Sequence, residues 1–173
     1  YMARIELLTA LKYNVLITNF NSYYSLNKFL TTHNRDKKIF FITGIYNLRD
    51  ILDISKHKKN QFGLLGSLGT LFGHHTKLYI YPSPDDRDPN FLIDLSNMKF
   101  QKDLHHLVEY LKANQYLVDV GEYESKYSSI WSRTVLKMIQ SGEAGWENMV
   151  PDAVAERVKA KQLFGYKASK SKS

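Results

Sequence analysis

The sequence predicts an α/β fold, with a mostly parallel sheet that has helices on both faces. Segments typical of strands alternate with segments typical of helices along the chain, an order that favours parallel strands joined by helical crossovers. The clearest strand, residues 38–43, is an almost continuous apolar run, as expected for a strand buried on both faces of a parallel sheet. Gly44 ends this strand, and a predicted helix follows it.

Five short segments are predicted as strands because they are rich in β-branched and aromatic residues. Pro82 and Pro84 end the third of them, since proline cannot donate a hydrogen bond to a sheet ladder. In chain order, the predicted strands are residues 15–17, 38–43, 77–81, 91–95 and 116–120.

The helices are predicted from apolar residues at helical spacing and from residues that favour helix ends. Leu7, Leu8 and Leu11 form such an apolar stripe in the first helix. Gly142 marks the end of a late helix, and Pro151 marks the start of the last one. In chain order, the predicted helices are the one around Leu7, residues 23–32, 47–55, 63–73, 103–113 and 132–140, and the segment after Pro151.

Length and composition predict one globular domain with a short tail. At 173 residues, 43% of them hydrophobic, the chain is long enough for a full core, and we predict this domain over residues 1–166. Residues 167–173 read K-A-S-K-S-K-S and are predicted to be disordered, because they are small, polar and without periodicity. The net charge is +7, of which three lysines belong to this tail, leaving +4 for the body.

Composition also excludes several classes of function. The chain contains no cysteine, which rules out disulfide bonds, thiol catalysis and cysteine metal sites. The lack of cysteine fits a reducing compartment, and we expect a cytoplasmic location. No apolar run is long enough to span a bilayer, so we expect no membrane partner. The basic excess suits nucleotide phosphates or a nucleic-acid backbone, and equally a solvated surface.

The candidate ligand-binding loops follow from the predicted sheet. In an open parallel sheet, ligands bind outside the carboxyl ends of the strands. The candidates are therefore the loops after Ile17, Thr43 and Tyr81 and the loop before Ser132. Ser132 is predicted to cap its helix, which would let the helix N-terminus meet a phosphate, and a simple cap without a ligand explains it equally well.

Several segments resemble those of nicotinate-mononucleotide adenylyltransferases. I-W-S-R-T-V-L at 130–136 and V-P-D-A-V at 150–154 resemble the end of that family, where I-S-S-T-x-x-R opens one helix and V-P-x-x-V opens the last. Further segments resemble other family motifs in the same order. They are R-I-E-L-L at 4–8, N-S-Y-Y-S-L at 21–26, F-I-T-G-I-Y-N-L at 41–48 and L-Y-I-Y-P-S-P at 78–84.

The resemblance implies a Rossmann-like nucleotidyltransferase fold that joins ATP to a pyridine mononucleotide with Mg²⁺, a step of NAD biosynthesis. It also implies two sets of binding residues. The nucleotide and phosphate contacts would be Gly44, Asn47, Ile130, Ser132 and Arg133. The pyridine ring would lie against Ser22, Tyr23, Tyr24 and Tyr46.

The chain also departs from the family pattern. The G-x-F-x-P-x-H-x-G-H element, whose histidines stabilise the reacting phosphate, would lie upstream of Arg4, so we expect a missing first strand unit and assign no catalytic residue. Tyr46 stands where the family has aspartate, Tyr24 and Arg133 where it has threonine, and Leu136 where it has arginine. We therefore expect this chain to be inactive unless an upstream segment of the same protein completes the site.

Other interpretations stay open. The same fold, without catalysis, is expected of a module that binds a nucleotide, RNA or a protein partner, or of a purely structural domain. A homo-oligomer is also compatible with the sequence. The paired histidines at 74–75 and 105–106 are not predicted as metal ligands, because adjacent histidines on a helix point in different directions.

Overall fold

The computed structural model describes residues 1–58, 60–73, 75–85, 87–88, 90–121, 127–128 and 130–167. Two compact units are present. The sheet unit comprises Asn19–Glu124, and the helical unit comprises Tyr1–Thr18 together with Ser125–Ser173. The single domain predicted over residues 1–166 stays a prediction, and the predicted tail lies outside the described residues from position 168 onward.

The described residues form seven α-helices and five strands. The helices are α1 (Met2–Ala10), α2 (Tyr23–His33), α3 (Ile45–Leu52), α4 (Gly63–Phe72), α5 (His105–Ala113), α6 (Ser132–Ser141) and α7 (Asp152–Ala160). The strands are β1 (Ile39–Gly44), β2 (Thr76–Tyr81), β3 (Ser83–Pro84), β4 (Leu92–Ile93) and β5 (Leu117–Asp119). Short 3₁₀ turns occupy Ile54–His57, Lys102–Leu104, Trp146–Met149 and Leu163–Gly165. Among the described residues, none of these helices is long and apolar enough to cross a membrane.

A three-stranded parallel sheet of order β1-β2-β5 organises the sheet unit. The β1–β2 register runs from Ile39 beside Thr76 to Gly44 beside Tyr81, and β5 pairs with β2 from Leu78 onward. Helices flank this sheet, and β3 and β4 form a separate antiparallel pair. The predicted α/β class with a mostly parallel sheet is confirmed, and the arrangement is consistent with a Rossmann-like fold.

One face of the sheet forms the core of the sheet unit and is called the covered face here. In β2 it carries Thr76, Leu78 and Ile80, all fully buried. Apolar side chains from α3, α4 and α5 pack against these strands, and burial of such side chains supplies the main favourable term in folding. The buried helix residues of this core are Ile45, Leu48, Leu52, Leu64, Leu68, Leu71, Phe72, Val108 and Leu111.

The other face, here called the open face, carries Phe40 and Ile42 from β1 and Lys77, Tyr79 and Tyr81 from β2, which share a face by register. Phe40 is 52% exposed and Ile42 is 71% exposed. The prediction that this strand is buried on both faces is therefore wrong. Side-chain type alone did not reveal this, because both residues are strongly apolar although no described helix of the sheet unit covers them.

Two other strand predictions also fail. Residues 15–17 are not a strand, and Leu16 and Ile17 are exposed, because this short run has no strand partner among the described residues. The strand predicted at 91–95 is only two residues long and is antiparallel to β3. The predicted helices of the sheet unit are confirmed, although the one predicted at 47–55 starts at Ile45 and ends at Leu52.

The helical unit has a small core of its own, built from α6, α7 and the turn at Trp146. Val135, Met138 and Ile139 of α6 contribute to it. The predicted stop at Gly142 is confirmed, since this residue is left-handed with φ of 75° and its N–H bonds to the carbonyl oxygen of Met138. Glu6 of α1 pairs with Arg157 and Lys161, which joins α1 to α7.

Candidate functional site

A cavity of about 750 Å³ lies among α2, α3 and α4 in the sheet unit, and it is called the α2 cavity below. Its size falls in the range of small-molecule sites, about 300–1,000 Å³. Its walls combine aromatic, amide, hydroxyl and charged side chains, as expected for a site that holds a polar ligand with a flat ring. The lining residues are Asn19, Phe20, Asn21, Ser22, Tyr23, Tyr24, Ser25, Asn47, Asp50, Ile51, Lys56, His57, Ser67, Leu68 and Leu71.

The α2 cavity is tied to the carboxyl end of β1 through Thr43. The hydroxyl groups of Tyr23 and Thr43 lie 2.8 Å apart, and either one can donate. The Asn47 side-chain amide donates to the Thr43 hydroxyl over 3.1 Å. The Tyr23 ring also meets the Phe41 ring edge to face, with centroids 5.5 Å apart. Two cavity side chains are thereby held at the edge of the sheet where open α/β folds bind ligands.

The start of α2 forms the rim of the cavity because Ser22 caps that helix. Ser22 has an extended backbone, and its hydroxyl accepts a hydrogen bond from the Ser25 N–H over 3.4 Å. Such a cap satisfies a backbone donor that the first turn leaves unpaired. Tyr23 and Tyr24 follow the cap directly, so their positions depend on where the helix begins.

His57 forms part of the opposite wall and is fixed at both ring nitrogens. Its Nε2 lies 2.7 Å from the carbonyl oxygen of Ile51, which can only accept, so this nitrogen carries a hydrogen. Its Nδ1 lies 2.8 Å from the Ser67 hydroxyl oxygen. The Asn60 side-chain amide donates a hydrogen bond to the same oxygen. Because both nitrogens have hydrogen-bonding partners, the His57 ring is held in a fixed orientation in the wall of the cavity.

The charged part of the α2 cavity is the ion pair between Lys56 and Asp50, with 2.8 Å between Nζ and Oδ1. Both side chains are about half exposed. An exposed pair of this kind contributes only about 0–1 kcal/mol. Breaking this pair so that Lys56 can bind an anionic group of a ligand would therefore cost little free energy.

Four residues that the resemblance assigns line the α2 cavity: Ser22, Tyr23, Tyr24 and Asn47. Gly44 lies beside it at the N-cap of α3. A Cβ at Gly44 would lie 3.2 Å from the ring of Tyr81, so a larger residue would displace that ring.

Tyr46 is placed elsewhere, although the resemblance assigns it to the pyridine ring. Its hydroxyl donates to the carbonyl oxygen of Pro84 over 3.0 Å. The Arg49 guanidinium lies 5.0 Å from the centre of its ring. Tyr46 is thus engaged with β3 and α3 and does not line the cavity.

The three remaining assigned residues, Ile130, Ser132 and Arg133, line a cavity of about 510 Å³ in the helical unit. Most other side chains around it are apolar, and Arg4 is the second cation in its lining. Ser132 is the first residue of α6, and the N-cap position belongs to Trp131. The prediction that Ser132 caps this helix is wrong, because the helix begins one residue earlier than a serine cap requires.

Sequence reasoning missed Lys56, His57 and Asp50, which the fold brings to the α2 cavity. Lys56 and His57 belong to a short polar connector between α3 and α4, and nothing in its composition distinguishes a wall residue from a solvated one. Their position becomes evident only once α4 packs against α2 through the Asn27 side chain, which donates to the carbonyl oxygens of Thr70 and Leu71.

The resemblance also implies a Mg²⁺ ion. Within the described ranges, no group of three or more histidine, aspartate or glutamate side chains is arranged to hold a metal ion. His74 lies outside the described residues.

Comparisons of the chain with protein-family models, with curated proteins and with solved structures found no match. The resemblance to nicotinate-mononucleotide adenylyltransferases therefore depends on the short segments quoted above. The physical basis for a function is the α2 cavity itself.

Proposed function

We propose that the sheet unit binds a mononucleotide in the α2 cavity. Nicotinate mononucleotide is the first candidate, because the resemblance places a pyridine ring against residues that line this space. The observation that carries the proposal is the grouping of Ser22, Tyr23, Tyr24 and Asn47 around one cavity of about 750 Å³.

The chemistry of the walls supports such a ligand. Tyrosine rings stack on flat heteroaromatic rings, and Tyr23 and Tyr24 are adjacent at the start of α2. Hydroxyl and amide groups of Ser22 and Asn47 can bond to a sugar or a ring substituent. Lys56 supplies a positive charge for the phosphate.

The bound ligand would meet a largely preorganised site. Tyr23 and Asn47 are already bonded to Thr43, and His57 is fixed by Ile51 and Ser67. Binding then immobilises few side chains, which limits its entropic cost.

Adenylyl transfer is not proposed for this chain alone. The described residues supply neither the paired histidines of the family nor a metal site. Loss of one charged transition-state contact typically costs about 3–4 kcal/mol, so several such losses would abolish useful turnover. Transfer from ATP would need a further segment, and Ile130, Ser132 and Arg133 would be its phosphate contacts by resemblance only. The cytoplasmic location also stays a prediction.

Isothermal titration of the chain with nicotinate mononucleotide, nicotinamide mononucleotide and ATP tests the proposal. We expect micromolar binding of a pyridine mononucleotide. Tyr24→Ala should weaken it about tenfold, since loss of one stacking ring costs about 1–3 kcal/mol. Lys56→Ala should weaken it as well, by removing the phosphate partner.

The matched controls are Tyr110→Ala and Lys112→Ala. Tyr110 is an exposed tyrosine of α5, and Lys112 is ion-paired to Glu109 on the same helix, so neither lines the α2 cavity. Both variants should bind like the unaltered chain. Heat from none of the three ligands, or equal losses in the controls, would overturn the proposal.

A further inference from the structure

The open face of the sheet is the largest departure from the predicted fold, and its chemistry is specific. Phe40, Ile42 and Tyr81 present apolar and aromatic surface to solvent, with Tyr81 44% exposed. At the amino ends of the strands this face continues into a groove of about 360 Å³, whose lining includes Lys38, His75 and Lys77. None of the described residues that line the groove is acidic.

We propose that the open face binds single-stranded nucleic acid. Unpaired bases would stack on Phe40 and Tyr79, and backbone phosphates would lie against Lys38 and Lys77. This goes beyond mononucleotide binding in the α2 cavity, because it uses different residues and a different class of ligand.

The aromatic residues are placed to receive successive bases. Phe40 and Tyr79 are diagonal neighbours on adjacent strands, with ring centroids 5.7 Å apart and planes at 86°. Tyr79 and Tyr81 lie two residues apart on one strand, about 6.6 Å along it. A base stacked on one ring would meet the edge of the next. Base stacking on aromatic side chains is sequence-tolerant, because every base has a flat face.

A flat sheet surface favours single strands over duplexes. In a duplex the bases are stacked on each other and expose only their edges in the grooves. Aromatic rings on a sheet therefore reach bases only when these are unpaired, as in sheet-based recognition of single-stranded RNA.

The local charge complements a phosphate backbone, although the sheet unit as a whole is nearly neutral, with 13 basic and 12 acidic residues. The Nζ of Lys77 donates to the side-chain oxygen of Gln115 over 3.0 Å. Because Gln115 is uncharged, this bond does not neutralise the positive charge of Lys77. The carboxylate of β5, Asp119, is in register with Ile80 and so belongs to the covered side. The groove of the open face therefore carries two lysines and, among its described lining residues, no carboxylate to neutralise them.

The same charges disfavour pairing of two copies through this face. A two-fold contact buries the same patch on both copies, so it would desolvate Lys38 and Lys77 without an acidic partner from the described residues of the groove. An anionic partner supplies that missing charge. Nucleic acid also supplies flat rings for the tyrosines.

Fluorescence anisotropy with labelled strands tests the proposal on the full chain. The probes are single-stranded RNA, single-stranded DNA and duplex DNA of one mixed sequence, each about 12 nucleotides long. We expect both single strands, or one of them, to bind at low salt and the duplex to bind at least tenfold more weakly. Affinity should fall steeply between about 50 and 200 mM salt.

Two variants assign the binding to the open face. Tyr79→Ala should weaken single-strand binding about tenfold through lost stacking. Lys77→Gln should weaken it and reduce the salt slope by about 1, as loss of one phosphate contact does. Tyr110→Ala and Lys112→Ala again serve as controls, with circular dichroism to show that each variant is folded.

Three results would overturn the proposal: no binding at low salt, duplex binding as tight as single-strand binding, or equal losses in the controls. A dimer that Tyr79→Ala dissociates, with no strand bound, would make this face a self-association surface instead. Failure of this proposal can be distinguished from failure of the proposed mononucleotide binding. Tyr24→Ala should leave nucleic-acid binding unchanged, and Tyr79→Ala should leave mononucleotide binding unchanged.

Discussion

The two faces of the β1–β2 pair carry apolar side chains of similar size in opposite surroundings. Leu78 and Ile80 on the covered face are fully buried against helices, whereas Phe40 and Ile42 on the open face lie largely in water. The covered face supplies the folding energy of the sheet unit. The open face gains little from folding, and its exposed apolar side chains form the surface on which we propose that nucleic acid binds. An apolar side chain in a strand is thus not by itself evidence of burial.

The largest expected effect is on the covered face. Leu78→Ala should lower the free energy of unfolding by about 3 kcal/mol, because it removes buried contacts and leaves a cavity. Ile42→Ala should change it by less than about 1 kcal/mol, because that side chain is already exposed. Urea unfolding followed by circular dichroism measures both. Equal losses would mean that the open face is covered in solution.

A buried polar network gives the next largest effect. Asn27 accepts from the Thr76 hydroxyl of the covered face over 3.0 Å, in addition to its two donor bonds to α4. Asn27→Ala should lower the free energy of unfolding by about 2–3 kcal/mol, since it leaves the buried hydrogen-bonding partners of Asn27 unpaired. Asn34→Ala, at the exposed end of the same helix, should cost less than about 1 kcal/mol. Thermal unfolding compares the two, and a smaller loss for Asn27 would argue against this network.

A polar substitution on the open face tests the same difference between the two faces. Ile42→Thr keeps a β-branched side chain in β1 and removes apolar surface from the open face. Its free energy of unfolding should stay within about 0.5 kcal/mol of the original value, while binding of a hydrophobic dye falls. Fluorescence of the bound dye and urea unfolding check the two parts. Unchanged dye binding would place the apolar patch elsewhere.

The smallest effect concerns Asp119, whose pKa is raised because burial disfavours its charged form. The folded state then holds the proton more tightly than the unfolded state. The resulting stability is fully present below the ordinary pKa of 3.8 and is lost as pH rises through the raised value. Asp119→Asn should therefore stabilise the protein at neutral pH, by less than about 0.5 kcal/mol because solvent still reaches the side chain and screens its charge.

Glu147 serves as a control, because its pKa is shifted in the opposite direction to that of Asp119. A hydrogen bond from Lys159 lowers the pKa of Glu147, so its contribution is present at neutral pH and lost as pH falls through the lowered value. Glu147→Gln should destabilise slightly where Asp119→Asn stabilises. Unfolding free energies measured at neutral and acidic pH distinguish the two, and equal signs would contradict this account.

Much of the fold was predictable because it depends on local sequence patterns. Apolar spacing located α4 and α5, and the residues that end helices located the C-terminus of α6. The apolar run of β1 was found for the same reason. What covers each face of β1 depends on contacts between distant segments, so exposure of Phe40 and Ile42 was not predictable from spacing.

The candidate site was predictable only in part. Ser22 and Asn47 were assigned by resemblance, and the fold places both at one cavity. His57 lies at the same cavity and is held by bonds to Ile51 and Ser67, and no sequence motif encodes this arrangement. Ser132 shows why a helix cap is difficult to predict from sequence. A shift of one residue at the start of the helix removes the cap, and sequence patterns locate helix boundaries only to within one or two residues.

The position of β1 at the end of the strand order has a practical consequence for handling the protein. Among the strands that the structure describes, its I-F-F-I-T run lies on an edge of the sheet. The run combines strong β propensity with no charge, a composition typical of segments that add to one another in fibrils. Lys37 and Lys38 precede this run directly and act as gatekeepers, since their charges oppose stacking of identical edges. Concentrated stocks should therefore be most prone to fibril growth at high salt, where screening weakens this protection.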